Sequence, residues 1–271
     1  MNNAAIGVFD SGVGGLSCVS ELSALMPNEN IVYLGDTARV PYGTKSAATI
    51  EKYAKEDISF LEQFNVKMIL IACGTVSSVL MTRPLFEDSS VKNFSGVIYP
   101  TVTAACAATR NGRIGVIGTP ATIRSGCYGK AIRQLNREIK VFSKACPMFV
   151  PLVENGYTER GNAVSTMIAE EYLEPMKKEG VDTLILGCTH YPHLSGIISD
   201  VMGQGVSLIS SGAETAKYAK RTLISEGAAA EREEKGTLEL FCTDSEELFA
   251  ENVETFLGHK DRIKISKCSL K

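Results

Sequence analysis

Short β-rich runs alternate with helical patterns along most of this chain, and that alternation constrains its fold more than any other feature. The runs are Ile6–Phe9, Ile31–Leu34, Met68–Ala72, Gly96–Tyr99, Ile114–Ile117, Ile139–Phe142, Thr183–Leu186, Val206–Ile209 and Leu238–Phe241, each bounded by glycine or polar residues. Between 46 and 64, Ile50, Tyr53, Ala54, Ile58, Leu61 and Phe64 recur at steps of three or four, which predicts a helix with one buried face. Val164, Met167, Ile168, Tyr172 and Met176 predict a second helix over 162–178. Strands alternating with helices predict parallel sheets in an α/β fold. The run Met68–Ala72 is apolar throughout, as expected when helices cover both faces of a sheet.

An internal repeat sharpens this reading. Val66–Cys73 can be laid over Val181–Cys188: both runs begin with valine, end with cysteine at the eighth position and are soon followed by threonine, Thr75 and Thr189. Upstream of each lies another matching segment, Gly7–Ser11 before Cys73 and Gly115–Thr119 before Cys188. Residues just past the C-terminal end of a strand line the ligand crevice of an open α/β sheet. The repeat therefore predicts two similar α/β lobes, each presenting one cysteine at a strand end. If the lobes face each other, two thiols point into one cleft. The competing reading is that both cysteines are buried for packing alone.

Composition narrows the function classes. The 271 residues suffice for one large domain or two small ones. A net charge of -3 argues against nucleic-acid and membrane partners. No stretch approaches the roughly 18 consecutive apolar residues of a transmembrane helix. The N-terminal residues lack a basic segment followed by a long apolar one, so a cytosolic protein is expected. Eight cysteines without a CxxC pair are then expected to be free thiols. Cys188, His190 and His193 do not follow a usual zinc spacing, and no metal is expected. The polar run Glu226–Gly236 reads as a solvated helix end and loop rather than a linker.

Two opposed thiols suit one chemistry in particular. A thiolate on one face of a carbon removes a proton, and a thiol on the other face delivers one, inverting a stereocentre with no cofactor. Each thiol then needs a polar neighbour to tune it. Asp10 and Ser11 follow the first strand, His190 lies two residues after Cys188, and Glu154 is a carboxylate in an apolar strand-to-loop transition. The glycine-rich segment Asp10–Gly15 opens a helix near Leu16. It matches neither a Walker A loop nor GxGxxG, and its backbone amides suit a carboxylate.

At these residues the chain resembles the glutamate racemases of the aspartate/glutamate racemase superfamily. The resemblance is carried by Gly7–Gly15, Leu34–Gly43, Ile71–Cys73, Gly118–Thr122 and Leu186–Pro192, and runs from about residue 5 to residue 257. It implies a cofactor-independent racemase that supplies D-glutamate for peptidoglycan in the bacterial cytoplasm, commonly as a homodimer. It implies that Cys73 takes the α-proton of D-glutamate and Cys188 that of L-glutamate. Asp10 and His190 would support the two thiols, with Glu154 near the second. Ser11, Thr75 and Thr189 would hold the α-amino and α-carboxylate groups. Pro41, Tyr42, Gly43 and Thr119 or Thr122 would hold the side-chain carboxylate. The implied fold has an inserted second lobe, 98–210, within a first lobe of 1–97 plus 211–271. One position departs from the family pattern of Ala-Cys-Asn-Thr, because Gly74 follows Cys73. Losing that amide's hydrogen bond to a charged group costs about 1.5–3 kcal/mol, or about 10- to 150-fold in rate or affinity. A racemase of aspartate or another acidic amino acid, and a catalytically weakened homologue with a binding role, are the alternatives.

Overall fold

The structure, a computed structural model, describes residues 3–81, 89–91, 93–258 and 263–270. Among the described residues there are ten strands: Ile6–Asp10 (β1), Ile31–Gly35 (β2), Met68–Ile71 (β3), Phe94–Gly96 (β4), Arg113–Gly118 (β5), Lys140–Ala145 (β6), Thr183–Leu186 (β7), Ser207–Ser210 (β8), Leu238–Cys242 (β9) and Ile263–Lys267 (β10). The helices are Leu16–Leu25 (α1), Ala47–Glu62 (α2), Gly74–Leu80 (α3), Ile98–Ala108 (α4), Pro120–Ser125 (α5), Cys127–Leu135 (α6), Phe149–Glu154 (α7), Ala163–Lys178 (α8), Ser195–Met202 (α9), Ser211–Ser225 (α10) and Glu246–Leu257 (α11).

The strands form two sheets, in orders β10-β9-β2-β1-β3-β4 and β6-β5-β7-β8, with every pairing parallel. Each sheet belongs to its own compact unit. One comprises the described residues up to Val97 and from Thr215 onward; the other is Ile98–Glu214. The return to the first unit thus falls at Thr215, inside α10, rather than at 211.

The sequence repeat reappears as topology. β2-β1-β3-β4 and β6-β5-β7-β8 have the same connectivity: the first strand is central, the second lies on one side, and the third and fourth lie on the other. Chain direction across the sheet reverses between β1 and β3, and again between β5 and β7, which is where an open parallel sheet forms its ligand crevice. The repeated glycines explain how a helix closes over each central strand. A Cβ on Gly7 would stand 3.3 Å from Leu61 of α2, and one on Gly115 would stand 3.0 Å from the Met176 sulfur of α8 and 2.8 Å from Leu184.

Local signals place the helices. Ser46 caps α2 by accepting from the Thr49 N–H, and Asn162 caps α8 by accepting from the Ser165 N–H, each such cap being worth about 1 kcal/mol. Ile50, Ala54, Ile58 and Leu61 turn the buried face of α2 into a core shared with Phe9, Leu34, Ile69 and Ile71.

Three local expectations are corrected. The run Gly96–Tyr99 is not a strand: β4 ends at Gly96, and Ile98, Val102 and Ala105 form the buried face of α4, whose proline falls in the first turn, where no backbone donor is lost. Glu154 lies not at a strand-to-loop transition but at the end of α7. The edge strand β10 escaped the reading of long apolar runs, since its signal is a short alternation of isoleucine with lysine and serine. The stretch after α10 carries no regular element as far as Thr237, as expected. It is pinned rather than merely solvated. Lys67 Nζ pairs with Glu29 Oε2 at 2.6 Å and donates to Ala228 O, while the Ala230 N–H donates to Glu29 Oε1.

Candidate active site

The register of each sheet decides which residues meet at its open end. In the first unit Phe9 pairs with Ile71, and the Ala72 N–H donates to Phe9 O, so Asp10 and Ser11 emerge beside Cys73. In the second, Ile117 pairs with Leu186 and the Gly187 N–H donates to Ile117 O, so Thr119 emerges beside Cys188. Each unit therefore presents a cysteine opposite a hydroxyl residue at its switch point, as the repeat of Gly7–Ser11 with Gly115–Thr119 implies.

In the first cluster, Cys73 precedes α3 and is 4% exposed. Its thiol donates to Ser11 Oγ at 3.5 Å. Burial, reinforced by the Asp10 charge, pushes this thiol up to about 12 against weaker opposing hydrogen bonds from Ser11 and Val76. The resting group is thus a protonated thiol. Asp10 is buried, and its Oδ2 accepts from the Gly15 N–H at 2.7 Å. That amide, read from sequence as a carboxylate receptor, is taken by the loop's own aspartate. Tyr33 Oη donates to Gly12 O at 2.6 Å and steadies the same loop. Gly74 and Thr75 open α3 and are buried.

The segment 40–44 joins this cluster. A Cβ on Gly12 would stand 3.4 Å from Val40, which places the two loops in contact. Val40–Pro41 is a cis peptide, and Tyr42, Gly43 and Thr44 form a short 3-10 turn. The Tyr42 ring is buried against Tyr53, with centroids 5.4 Å apart. Its hydroxyl donates to Asp36 and lies 3.2 Å from Asp57 Oδ2.

The second cluster has a different chemistry. Glu154 Oε1 lies 3.1 Å from His190 Nε2. A carboxylate accepts, so Nε2 carries a proton and Nδ1 faces the other way. Nδ1 lies 3.9 Å from Cys188 Sγ and 3.4 Å from Thr189 Oγ1. The arrangement gives Cys188 an imidazole neighbour that Cys73 lacks. Thr119 caps α5 through the Thr122 N–H, and the two hydroxyls lie 3.1 Å apart.

Sequence reading missed several neighbours. His193, weighed in the sequence only as a metal ligand, is half-buried and pushed down to about 4, first by desolvation and then by His190, so it is neutral near pH 7. Tyr128 packs where a Cβ on Gly187 would stand 3.1 Å from its ring. Tyr191 Oη donates to Cys146 O at 2.8 Å. Asp57 was signalled in part, as a carboxylate at the i+3 step from Ala54 on an apolar helix face. Among the described residues no group of three or more His, Cys, Asp or Glu side chains is placed to hold a metal ion.

Comparison with known proteins agrees with this fold. The sequence model of the family described as Asp/Glu/Hydantoin racemase matches residues 16–219. A glutamate racemase of Geobacter metallireducens is 44% identical over 94% of this chain and 93% of its own length. The crystal structure of glutamate racemase isoform RacE1 from Bacillus anthracis matches with a TM-score of 0.92 and 38% identity, covering 100% of this chain and 99% of its own. The glutamate racemase of Francisella tularensis, solved in complex with D-glutamate, matches with a TM-score of 0.88 and 34% identity, covering 99% and 98%. With a repeated parallel sheet, a cysteine at each switch point and these relatives along almost its whole length, the chain belongs to the Asp/Glu/hydantoin racemase family, among the glutamate racemases.

Proposed function

We propose that this protein interconverts L- and D-glutamate by a two-thiol mechanism, with Cys73 and Cys188 acting on opposite faces of the α-carbon. The observation that carries it is the pair of strand-end thiols in equivalent registers with unlike partners: a hydroxyl and a carboxylate around Cys73, an imidazole–carboxylate pair around Cys188. The relatives that match along nearly the whole chain are glutamate racemases, which puts glutamate ahead of aspartate. Retention of both thiols with their polar partners speaks against a purely binding role.

In the L-to-D direction the Cys188 proton passes to His190 Nδ1, and the resulting thiolate removes the α-proton of L-glutamate. The C–H electron pair passes into the α-carboxylate as an enediolate. Cys73, held as a thiol by burial, then gives its proton to the opposite face and is left as the thiolate. The D-to-L direction starts from that thiolate and exchanges the roles. A bound substrate's ammonium beside Asp10 offsets the negative charge that otherwise opposes ionisation of Cys73. Ser11, Thr75 and Thr189 are assigned to the α-amino and α-carboxylate groups, and Pro41, Tyr42, Gly43 and Thr119 or Thr122 to the distal carboxylate. The scheme calls for no cofactor. The same reading carries with it a bacterial cytoplasmic homodimer that feeds D-glutamate to peptidoglycan synthesis.

Replacing either thiol tests the proposal. Cys73→Ala and Cys188→Ala should each lower racemisation by at least about 100-fold, the low end of what a positioned proton-transfer group contributes. A single variant that interconverts the enantiomers near the wild-type rate would sink the two-thiol scheme.

A further inference from the structure

The helix α2 buries one carboxylate that the reaction scheme does not use. Asp57 is 0% exposed, on the face of α2 turned toward the core. Its Oδ1 accepts from Arg39 Nη2 at 3.1 Å, and its Oδ2 lies 3.2 Å from Tyr42 Oη. Arg39 also donates to Asp36 and Glu56 and lies 4.0 Å over the Tyr53 ring. Asp36 Oδ1 accepts from Thr243 Oγ1 at 2.9 Å.

Counting protons fixes the direction of these bonds. Tyr42 has one hydroxyl proton, and its shorter contact is with Asp36. With that proton committed, a hydrogen bond between Asp57 and Tyr42 requires a proton on Asp57. One guanidinium faces three carboxyl groups here, Asp36, Glu56 and Asp57, and two of them are fully buried. Keeping Asp57 neutral leaves Asp36 as the one fully buried carboxylate of the three, matched by Arg39. Burial and the Asp36 charge also push the Asp57 carboxyl well above the ordinary range.

We propose that Asp57 is a positioning residue for the distal-carboxylate subsite: as a neutral carboxyl it donates Oδ2–H to Tyr42 Oη, completing a relay from Asp57 through Tyr42 to Asp36 that fixes the Pro41–Gly43 turn in its substrate-binding form. This rests on the assignment of that turn to the substrate's side-chain carboxylate. Asp57 itself touches no reacting atom, so its influence falls on binding rather than on proton transfer.

Steady-state kinetics with both enantiomers tests it. Asp57→Leu removes the donor and is expected to raise KM for L- and D-glutamate by about 3- to 10-fold, the worth of one buried hydrogen bond, with kcat within about twofold. Asp57→Asn keeps an acceptor for Arg39 and an N–H donor for Tyr42, and should restore KM to within about twofold of wild type by the same hydrogen-bond arithmetic. If Asp57→Leu does not fold, Asp57→Ala removes the same donor with less bulk. A folded Asp57→Leu or Asp57→Ala protein with wild-type KM overturns the inference, as does an asparagine variant as impaired as the leucine one. Gly43→Val separates the two layers. If it raises KM while removal of the Asp57 donor does not, only the inference about Asp57 fails. If neither changes KM, the turn is not the carboxylate subsite.

Discussion

At the level of single residues the two thiols differ in what surrounds them. Cys73 sits in a buried pocket with a hydroxyl and a carboxylate; Cys188 sits beside an imidazole whose far nitrogen is tied to Glu154. The equilibrium constant between enantiomers is one by symmetry, so kcat/KM must be equal in the two directions for every variant. Loss of the Glu154 contact therefore cannot slow one direction alone by that measure. Glu154→Ala frees the His190 tautomer and should lower kcat/KM by about 10-fold in both directions, near the lower end for a lost hydrogen bond to a charged group, because Glu154 is 46% exposed. Its asymmetry should appear elsewhere. The primary isotope effect with α-deuterated substrate should rise for L-glutamate, whose proton Cys188 removes, and not for D-glutamate. An unchanged isotope effect for both enantiomers would separate Glu154 from Cys188. Both cysteines, Asp10, Ser11 and His190 were legible in the sequence because strand-end position and repetition mark them, whereas Glu154 stood out only as a carboxylate in an apolar stretch whose element was misread. Tyr33 and Tyr128 were not, and Asp57 only in part, because their partners are distant in the chain and only the folded register brings them together.

Among the secondary-structure elements, α2 links stability to the proposed subsite. The Asp57 carboxyl is raised in the folded state by burial and the Asp36 charge. An unfolded aspartate ionises near pH ~3.9. Above that pH the unfolded chain gives up the proton that the folded chain keeps, so stability is fully present below it and declines as pH rises toward the folded value. Asp57→Asn removes this titration. The variant should gain in Tm relative to wild type as pH is raised from about 4 to 7. A Tm difference that does not vary with pH would mean that Asp57 is ionised in the fold and that Tyr42 has no donor there. The long amphipathic helices and the apolar central strands were readable from periodicity, since burial of one face imposes it. Misreadings fell where composition and geometry conflict: Ile98 and Tyr99 look like strand but begin α4, and the lysine-rich β10 looks like loop but closes a sheet edge.

On the scale of the whole molecule, the repeated order β2-β1-β3-β4 and β6-β5-β7-β8 supplies two equivalent strand ends, one per unit. A stereocentre has two faces, and the reaction proposed draws one thiol from each unit. This also explains why the sequence repeat was the most telling signal, since duplicated strand ends suit a reaction whose forward and reverse substrates are mirror images. Neither thiol should act alone: the proton removed from one face must differ from the proton delivered to the other. The most direct measurement follows the α-position by proton NMR, together with optical rotation, during early turnover of L-glutamate in D₂O. The D-glutamate formed should carry deuterium at the α-carbon from the first turnovers while the remaining L-glutamate keeps its proton, with the mirror result from D-glutamate. Product that retains the original α-proton, or deuterium entering both enantiomers equally at early conversion, would contradict a mechanism with one thiol on each face.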